Sequence, residues 1–198
     1  RGINAKQWPV ETILARGYAL ATIYREDVAA DHEPYFASGV HPLFPDYQKT
    51  DDNFGTIAAW AWSFSRGLDA LEKEPLIDSK RVAIFGFSRL GKAALWAGAN
   101  DPRFAMVISN ESGAGGAKLF RRGMGENIER LNTHFPHWFA RNFSKYNGKD
   151  KELPFDQHMV ISLIAPRPVY VASAFDDKHS DPEGEFDGAN AAQPDYRL

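Results

Sequence analysis

One stretch of the chain carries apolar residues at helical spacing. Five of them follow one another at intervals of four, three, four and three residues: Ile57, Ala61, Phe64, Leu68 and Leu71. This spacing predicts an amphipathic helix that buries one face. Asp52 or Asn53 is predicted to cap its N-terminus, because a short polar side chain accepts hydrogen bonds from the first free backbone N–H groups.

Several short apolar runs are bounded by charged or turn-forming residues, and each predicts a buried strand. These strands are Gly17–Tyr24, Arg81–Phe85, Phe104–Ser109 and Pro168–Ala174, with Tyr196–Leu198 as the start of a fifth. Helices are predicted over residues 89–99, most of 117–146, and 186–192. Strands that alternate with helices predict a parallel sheet covered on both faces. We expect one α/β domain over residues 1–198.

The composition narrows the possible classes of function. The 198 residues are 43% apolar, which is typical of a folded domain. A net charge of −3 is too small to favour binding to nucleic acid or to an anionic membrane surface. The absence of cysteine excludes disulfides and thiolate metal ligands. No apolar run approaches the ~18–20 residues that a membrane helix needs.

Ser88 lies between a predicted strand and a predicted helix, in the segment GFSRLGK (residues 86–92). A serine on such a turn is typical of α/β-hydrolases, whose motif is G-x-S-x-G. The turn raises the hydroxyl above the sheet, and N–H groups at the start of the helix face the developing oxyanion. The second glycine comes one residue later than usual, at Gly91. We therefore predict that Ser88 is the nucleophile of an α/β-hydrolase fold, a mostly parallel sheet in a three-layer sandwich.

Arg89 and Lys92 share one face of the first turn of the predicted helix. Cations at a helix N-terminus oppose the helix dipole, so their presence favours a role toward a ligand. Arg89 is a candidate to stabilise the oxyanion, and Lys92 is a candidate to bind substrate oxygens. The alternative is that both are ordinary solvated surface residues.

A serine nucleophile needs a general base, normally histidine, and a carboxylate that orients it. Two acid candidates lie just past predicted strands, where sites of open α/β sheets form: Glu111, and Asp177 (or Asp176). The triad histidine of this fold follows the last strand. None of the six histidines has that position: His32, His41, His134, His137, His158 and His179. We expect the catalytic histidine to lie outside this chain.

Seven segments, in order along nearly the whole chain, resemble the glucuronoyl esterases, carbohydrate esterase family fifteen. They are RGYA (16–19), GFSRLGK (86–92), NESGAGG (110–116), FPHWF (135–139), LPFDQH (153–158), APRPVYV (165–171) and DPEGEF (181–186). The serine motif with its arginine and lysine, joined to the Glu-Ser-Gly motif, is the specific part. Phe87 stands where fungal members have a disulfide-forming cysteine, so the chain is more similar to the bacterial form.

The resemblance implies a serine esterase that cleaves the ester between 4-O-methyl-glucuronic acid on xylan and lignin alcohols through an acyl-enzyme. It implies that Ser88 is the nucleophile and that Arg89 helps to form the oxyanion hole. It also implies that Lys92 and Glu126 contact hydroxyls of the uronate. Two other functions remain open, namely an acetyl-xylan or other carbohydrate esterase, and a non-catalytic carbohydrate-binding relative.

The resemblance leaves the acid open, because Glu111 matches the acid position of fungal members and Asp177 that of many bacterial members. His179 stands where the family has a tryptophan that faces the substrate. The resemblance therefore implies that His179 is a substrate-binding residue and that it replaces an aromatic ring that would stack on the sugar. The family's first strands and its catalytic histidine would lie before Arg1 and beyond Leu198. We therefore expect this chain to be a fragment that is inactive alone.

The resemblance further implies catalysis without a metal or cofactor. It implies a glucuronoxylan–lignin ester substrate as the partner. The small net charge predicts no nucleic acid or membrane partner, and a monomeric protein is expected. Because that substrate lies outside cells, a secreted or periplasmic location is expected.

Overall fold

The computed structural model describes residues 8–32, 39–44, 46 and 50–197. Within them, a parallel sheet has the strand order β1-β2-β3, formed by β1 (Ala83–Phe87), β2 (Met106–Asn110) and β3 (Val169–Ala172). The α-helices are α1 (Val10–Ala15), α2 (Thr56–Leu71), α3 (Arg89–Asn100), α4 (Ile128–His134), α5 (Gln157–Ser162) and α6 (Pro182–Ala191). Among the helices so described, none is long and apolar enough to cross a membrane.

The sheet confirms three of the predicted strands, with ends shifted by one or two residues. Helix α3 connects β1 to β2 and packs against both strands and against α2. The small side chains of this helix explain that packing, because Ala93 and Ala94 are fully buried. Val107 at the centre of β2 and Trp60 of α2 are buried on the same core. The resulting helix-on-sheet arrangement is part of the expected α/β sandwich.

Helix α2 confirms the apolar stripe, but the predicted cap is wrong. The N-cap is Gly55, and neither Asp52 nor Asn53 caps the helix. The first N–H groups instead donate to backbone carbonyls, from Thr56 to His137 at 2.8 Å and from Ile57 to Trp138 at 3.2 Å. A contact between segments distant in sequence thus replaces the local side-chain cap.

The first predicted strand, Gly17–Tyr24, is wrong, because residues 18–24 form no strand in this structure. Tyr18 and Tyr24 are 64% and 61% exposed, and the backbone of the segment is not paired with β1, which ends the described sheet. An apolar run indicates a capacity for burial, but a strand also needs a neighbouring backbone to pair with.

The structure corrects two further predictions, both in the C-terminal half of the chain. Within residues 117–146 the α-helical part is α4 alone, because glycines at positive φ, Gly123 and Gly125, and Pro136 interrupt the segment. The predicted strand start at Tyr196 is instead a 3-10 turn over Gln193–Tyr196, and Leu198 lies outside the described residues. The Tyr196 hydroxyl donates to the carbonyl of Ile161 at 2.9 Å, which holds that turn against α5.

Candidate active site

Ser88 occupies the sharp turn between β1 and α3. Its backbone has φ 56° and ψ −123°, a conformation that L-residues rarely adopt. Its N–H donates to the carbonyl of Asn110 on β2 at 2.8 Å, and its carbonyl accepts from Gly91 at 2.8 Å. Strained backbone held by such bonds is typical of functional turns.

Two glycines make this turn possible. A side chain at position 86 would place its Cβ 1.9 Å from the carbonyl oxygen of Leu90, so only glycine fits there. A Cβ at position 91 would lie 2.9 Å from that of Ser112, which explains why the second glycine of the motif stands at Gly91. Among the described residues, the backbone N–H of Arg89 donates to no acceptor, so it is available to an oxyanion.

An open cleft of about 310 Å³, counting the part exposed to solvent, lies above this turn. Six predicted site residues line it, namely Ser88, Arg89, Lys92, Glu111, Glu126 and His179, and the lining also includes Ser112, Phe135, Trp138 and Ser180. Within the part of the chain that the structure describes, no group of three or more histidine and carboxylate side chains is arranged to hold a metal ion.

Glu111 lies next to Ser88 because of the strand register. Phe87 of β1 pairs with Asn110 of β2, so the two residues that follow are neighbours at the carboxyl edge of the sheet. Adjacent strands lie about 4.8 Å apart, which brings the two backbones close together. Glu111 also has a positive φ, 48°, and its N–H donates to Ala172 of β3 at 2.8 Å.

Asp177 does not line the cleft. Its Oδ1 accepts hydrogen bonds from the N–H groups of His179 at 3.1 Å and Ser180 at 3.2 Å. Burial raises the pKa of the Asp177 carboxyl, but these bonds outweigh that effect and lower it below its ordinary value. Its carboxylate therefore shapes the turn that carries His179, and the structure leaves the choice between the two acids open.

Lys92 is a buried cation whose three N–H donors are all engaged. Its Nζ donates to the carbonyls of Ser112 at 2.6 Å and Ala114 at 2.7 Å, and to Glu126 Oε2 at 3.0 Å. The Lys92 and Glu126 side chains are only 3% and 6% exposed. Burial lowers the pKa of Lys92, and Glu126 opposes that effect. A substrate oxygen would therefore share or replace one of these three acceptors.

His179 is the histidine, of the six in the chain, that lines the cleft. Its side chain is about half exposed, and its Nε2 lies 3.4 Å from Glu126 Oε1. Its backbone carbonyl also accepts from the N–H of Glu126 at 3.0 Å. The Glu126 carboxylate thus lies between Lys92 and His179, with one oxygen directed to each.

Asp31 is a part of this site that the sequence did not indicate. Its carboxylate contacts Arg89, His137 Nε2 at 3.1 Å and Trp138 Nε1 at 2.8 Å. Burial raises the pKa of the Asp31 carboxyl, but these hydrogen bonds outweigh that effect and hold the pKa well below its ordinary value. Asp31 lies in the loop region after residue 24, far in sequence from all three partners, and only the FPHWF segment gave a signal that these aromatic residues belong to a site.

Comparisons with known proteins show which family this chain is similar to. A family model described as "Glucuronyl esterase, fungi" matches residues 3–198. Carbohydrate esterase MZ0003, from an unknown prokaryotic organism, is 48% identical over 201 residues, which cover 100% of this chain and 46% of that protein. The chain thus spans about half the length of this relative.

Two solved structures are also similar. A glucuronoyl esterase from Solibacter usitatus is 51% identical with a TM-score of 0.93, covering 100% of this chain and 51% of its own. A glucuronoyl esterase mutant from Sporotrichum thermophile, in complex with methyl 4-O-methyl-beta-D-glucopyranuronate, is 31% identical with a TM-score of 0.67, covering 74% and 42%. These likenesses establish the α/β-hydrolase fold. This chain belongs to the glucuronoyl esterase family.

Proposed function

We propose that the full-length gene product hydrolyses esters of 4-O-methyl-glucuronic acid, with Ser88 as the nucleophile. The observation that carries this proposal is the strained turn at Ser88, with the N–H and guanidinium of Arg89 beside it in one cleft. The names of the relatives and the glucuronate ester bound in one of them support the substrate class. The alcohol released is proposed to come from lignin.

In the proposed reaction, Ser88 Oγ attacks the ester carbonyl carbon while a histidine base takes its proton. Glu111 or Asp177 orients that histidine. The oxyanion is stabilised by the N–H of Arg89 and by its guanidinium, which carry positive charge where negative charge develops. The C–O bond to the alcohol then breaks, the alcohol takes the proton, and water releases the free uronic acid from the acyl-enzyme.

Three other residues of the cleft are suited to sugar hydroxyls. Glu126 Oε1 and His179 Nε2, which lie 3.4 Å apart, offer an acceptor and a ring nitrogen, while Lys92 binds the other Glu126 oxygen. We propose that Lys92, Glu126 and His179 bind hydroxyls of the uronate ring. An ester on a polymer outside cells further supports action as a secreted or periplasmic enzyme, and we propose that it acts as a monomer.

The test is hydrolysis of methyl or benzyl glucuronate by the full-length gene product and by its Ser88→Ala variant. We expect activity in the wild type and none in the variant. A fluorophosphonate probe should label the wild type and fail to label Ser88→Ala, while Ser144→Ala, which changes an exposed serine on a remote turn, should be labelled as the wild type is. Hydrolysis retained by Ser88→Ala would refute the assignment.

Two other functions predict different results. An acetyl-xylan esterase would hydrolyse acetylated sugars faster than methyl glucuronate. A non-catalytic carbohydrate-binding relative would resist the fluorophosphonate probe while still binding xylan fragments. The cations Arg89 and Lys92 beside the serine favour the glucuronate ester, because their charge also suits the anionic uronate product.

A further inference from the structure

Asp31 joins four other side chains behind the cleft. Its Oδ2 pairs with Arg89 and lies 3.1 Å from Arg25 Nη2. Its Oδ1 accepts from Trp138 Nε1 at 2.8 Å and lies 3.1 Å from His137 Nε2. The Asp31 side chain is 5% exposed. A carboxylate whose two oxygens are both bound, on one side by cations and on the other by ring nitrogens, is held in a single orientation.

We propose that Asp31 is a positioning residue of the reaction, which fixes the Arg89 guanidinium where the oxyanion forms. The inference rests on the proposed function, because it requires Arg89 to meet that oxyanion. Arginine is flexible, and a donor contributes most to catalysis when it is already in place before charge develops. Asp31 holds the Arg89 guanidinium in place without itself being one of the reacting groups.

The segment that carries Asp31 is itself fastened to the core. The indole N–H of Trp60, in α2, donates to the carbonyl of Ala29 at 2.9 Å, and the Arg25 guanidinium lies 5.5 Å from the centre of the same ring. The N–H of Asp31 donates to Glu26 Oε2 at 3.1 Å. The carboxylate is therefore anchored by its backbone as well as by its partners.

His137, Trp138 and Arg89, which contact the Asp31 carboxylate, are also held in place. The carbonyls of His137 and Trp138 accept from the first N–H groups of α2, and Trp138 stacks on Phe135 with ring centres 3.8 Å apart. The Arg89 guanidinium lies 4.9 Å from the Trp138 ring centre and 5.3 Å from that of Phe135. Cation–π contacts hold its plane while Asp31 holds one edge.

The number of donors leaves Arg89 able to act. Asp31 Oδ2 pairs with two cations, Arg25 and Arg89, while Glu26 pairs with Arg25 at 3.0 Å, so these four groups together carry no net charge. Among the described residues, the Arg89 side chain donates a hydrogen bond to Asp31 alone. Its other N–H groups remain for an oxyanion.

The test compares Asp31→Asn, Arg89→Met and the double variant in the full-length gene product, using kcat and KM on methyl glucuronate. Loss of one oxyanion donor costs about 10²–10³-fold in kcat, and we expect that loss for Arg89→Met. For Asp31→Asn we expect a loss of about 10-fold or more, with KM changed less than about twofold. The double variant should match Arg89→Met, because Asp31 acts through Arg89.

Asp101→Asn is the matched control. Asp101 is also a largely buried carboxylate that pairs with an arginine, Arg103, but it follows the far end of α3, about 20 Å from Ser88 at 1.5 Å per residue. It should lose stability and keep its kcat. If Asp31→Asn does not fold, Arg25→Met replaces it, since Arg25 is about one-third exposed and its loss should still lower kcat by removing one of the two cations that fix the Asp31 carboxylate.

The outcomes separate the two proposals. An inactive wild type, or an active Ser88→Ala variant, would overturn both. An active wild type with an unchanged kcat in Asp31→Asn, or in Arg25→Met where that variant is used, would overturn the role of Asp31 alone. The role of Asp31 would also be overturned if the fold-loss of kcat in the double variant equalled the product of the two single losses, because Asp31 would then act independently of Arg89.

Discussion

The buried pair of Lys92 and Glu126 allows a quantitative test of how the cleft is held together. Glu126→Gln keeps the shape of the side chain but removes the carboxylate that accepts from Lys92 Nζ at 3.0 Å. The ammonium would then remain buried with two neutral acceptors, the carbonyls of Ser112 and Ala114. Leaving a buried charge without its counter-ion costs about 3–5 kcal/mol of unfolding free energy.

Lys92→Met removes the other partner and leaves two buried carbonyls and a carboxylate with fewer donors. We expect a similar loss of about 3–5 kcal/mol. The double variant, Lys92→Met with Glu126→Gln, removes both charges of this pair. Its loss should therefore be smaller than the sum of the two single losses by about 1–3 kcal/mol.

The measurement is a urea unfolding series of the wild type, both single variants and the double variant at neutral pH. Burial lowers the pKa of Lys92, so the lysine of Glu126→Gln loses its proton more readily in the folded than in the unfolded state. Its stability deficit should accordingly shrink as the pH rises toward the ordinary lysine pKa. Single losses that add to within about 0.5 kcal/mol would refute a coupled pair.

Two further predictions concern carboxylates. Glu111→Gln and Asp177→Asn should each retain part of the esterase activity and together lose nearly all of it, as kcat on methyl glucuronate would report; complete loss in one single variant would assign the acid to that residue alone. Hydrogen bonds from Arg103 lower the pKa of Asp101 to about 2. Since the unfolded state takes up the proton first, wild-type stability should fall between about pH 4 and pH 2. Asp101→Asn should flatten that part of a plot of melting temperature against pH, and parallel curves would contradict the assignment.

The parts of the fold that sequence reasoning predicted are those with local causes. Helices α2 and α3 are predictable because the apolar stripe of α2 and the small side chains of α3 reflect packing within each helix and against one neighbouring element. The turn at Ser88 was predictable for the same reason, because its glycines, strand and helix are adjacent in sequence. Pattern and local geometry point to the same structure at these places.

The parts that were missed depend on partners distant in sequence. Asp31 meets His137 and Trp138 across 106 and 107 residues, and no local pattern marks an aspartate in a loop as their acceptor. The cap of α2 was missed because distant backbone carbonyls replaced a side chain. The strand predicted at Gly17–Tyr24 was wrong because apolar content does not supply a pairing partner.

The register of β1 against β2 has a consequence for how this family can vary its chemistry. Because Phe87 pairs with Asn110, the spacing of the sheet fixes how far apart the α-carbons of Ser88 and Glu111 lie. A slip of β2 by one residue would turn the Glu111 side chain to the opposite face of the sheet, so the register has no intermediate setting. The reach of an acid at position 111 is therefore set only by its number of methylene groups. An aspartate there would hold its carboxylate one methylene group closer to the backbone, so the two acids are not interchangeable at this position.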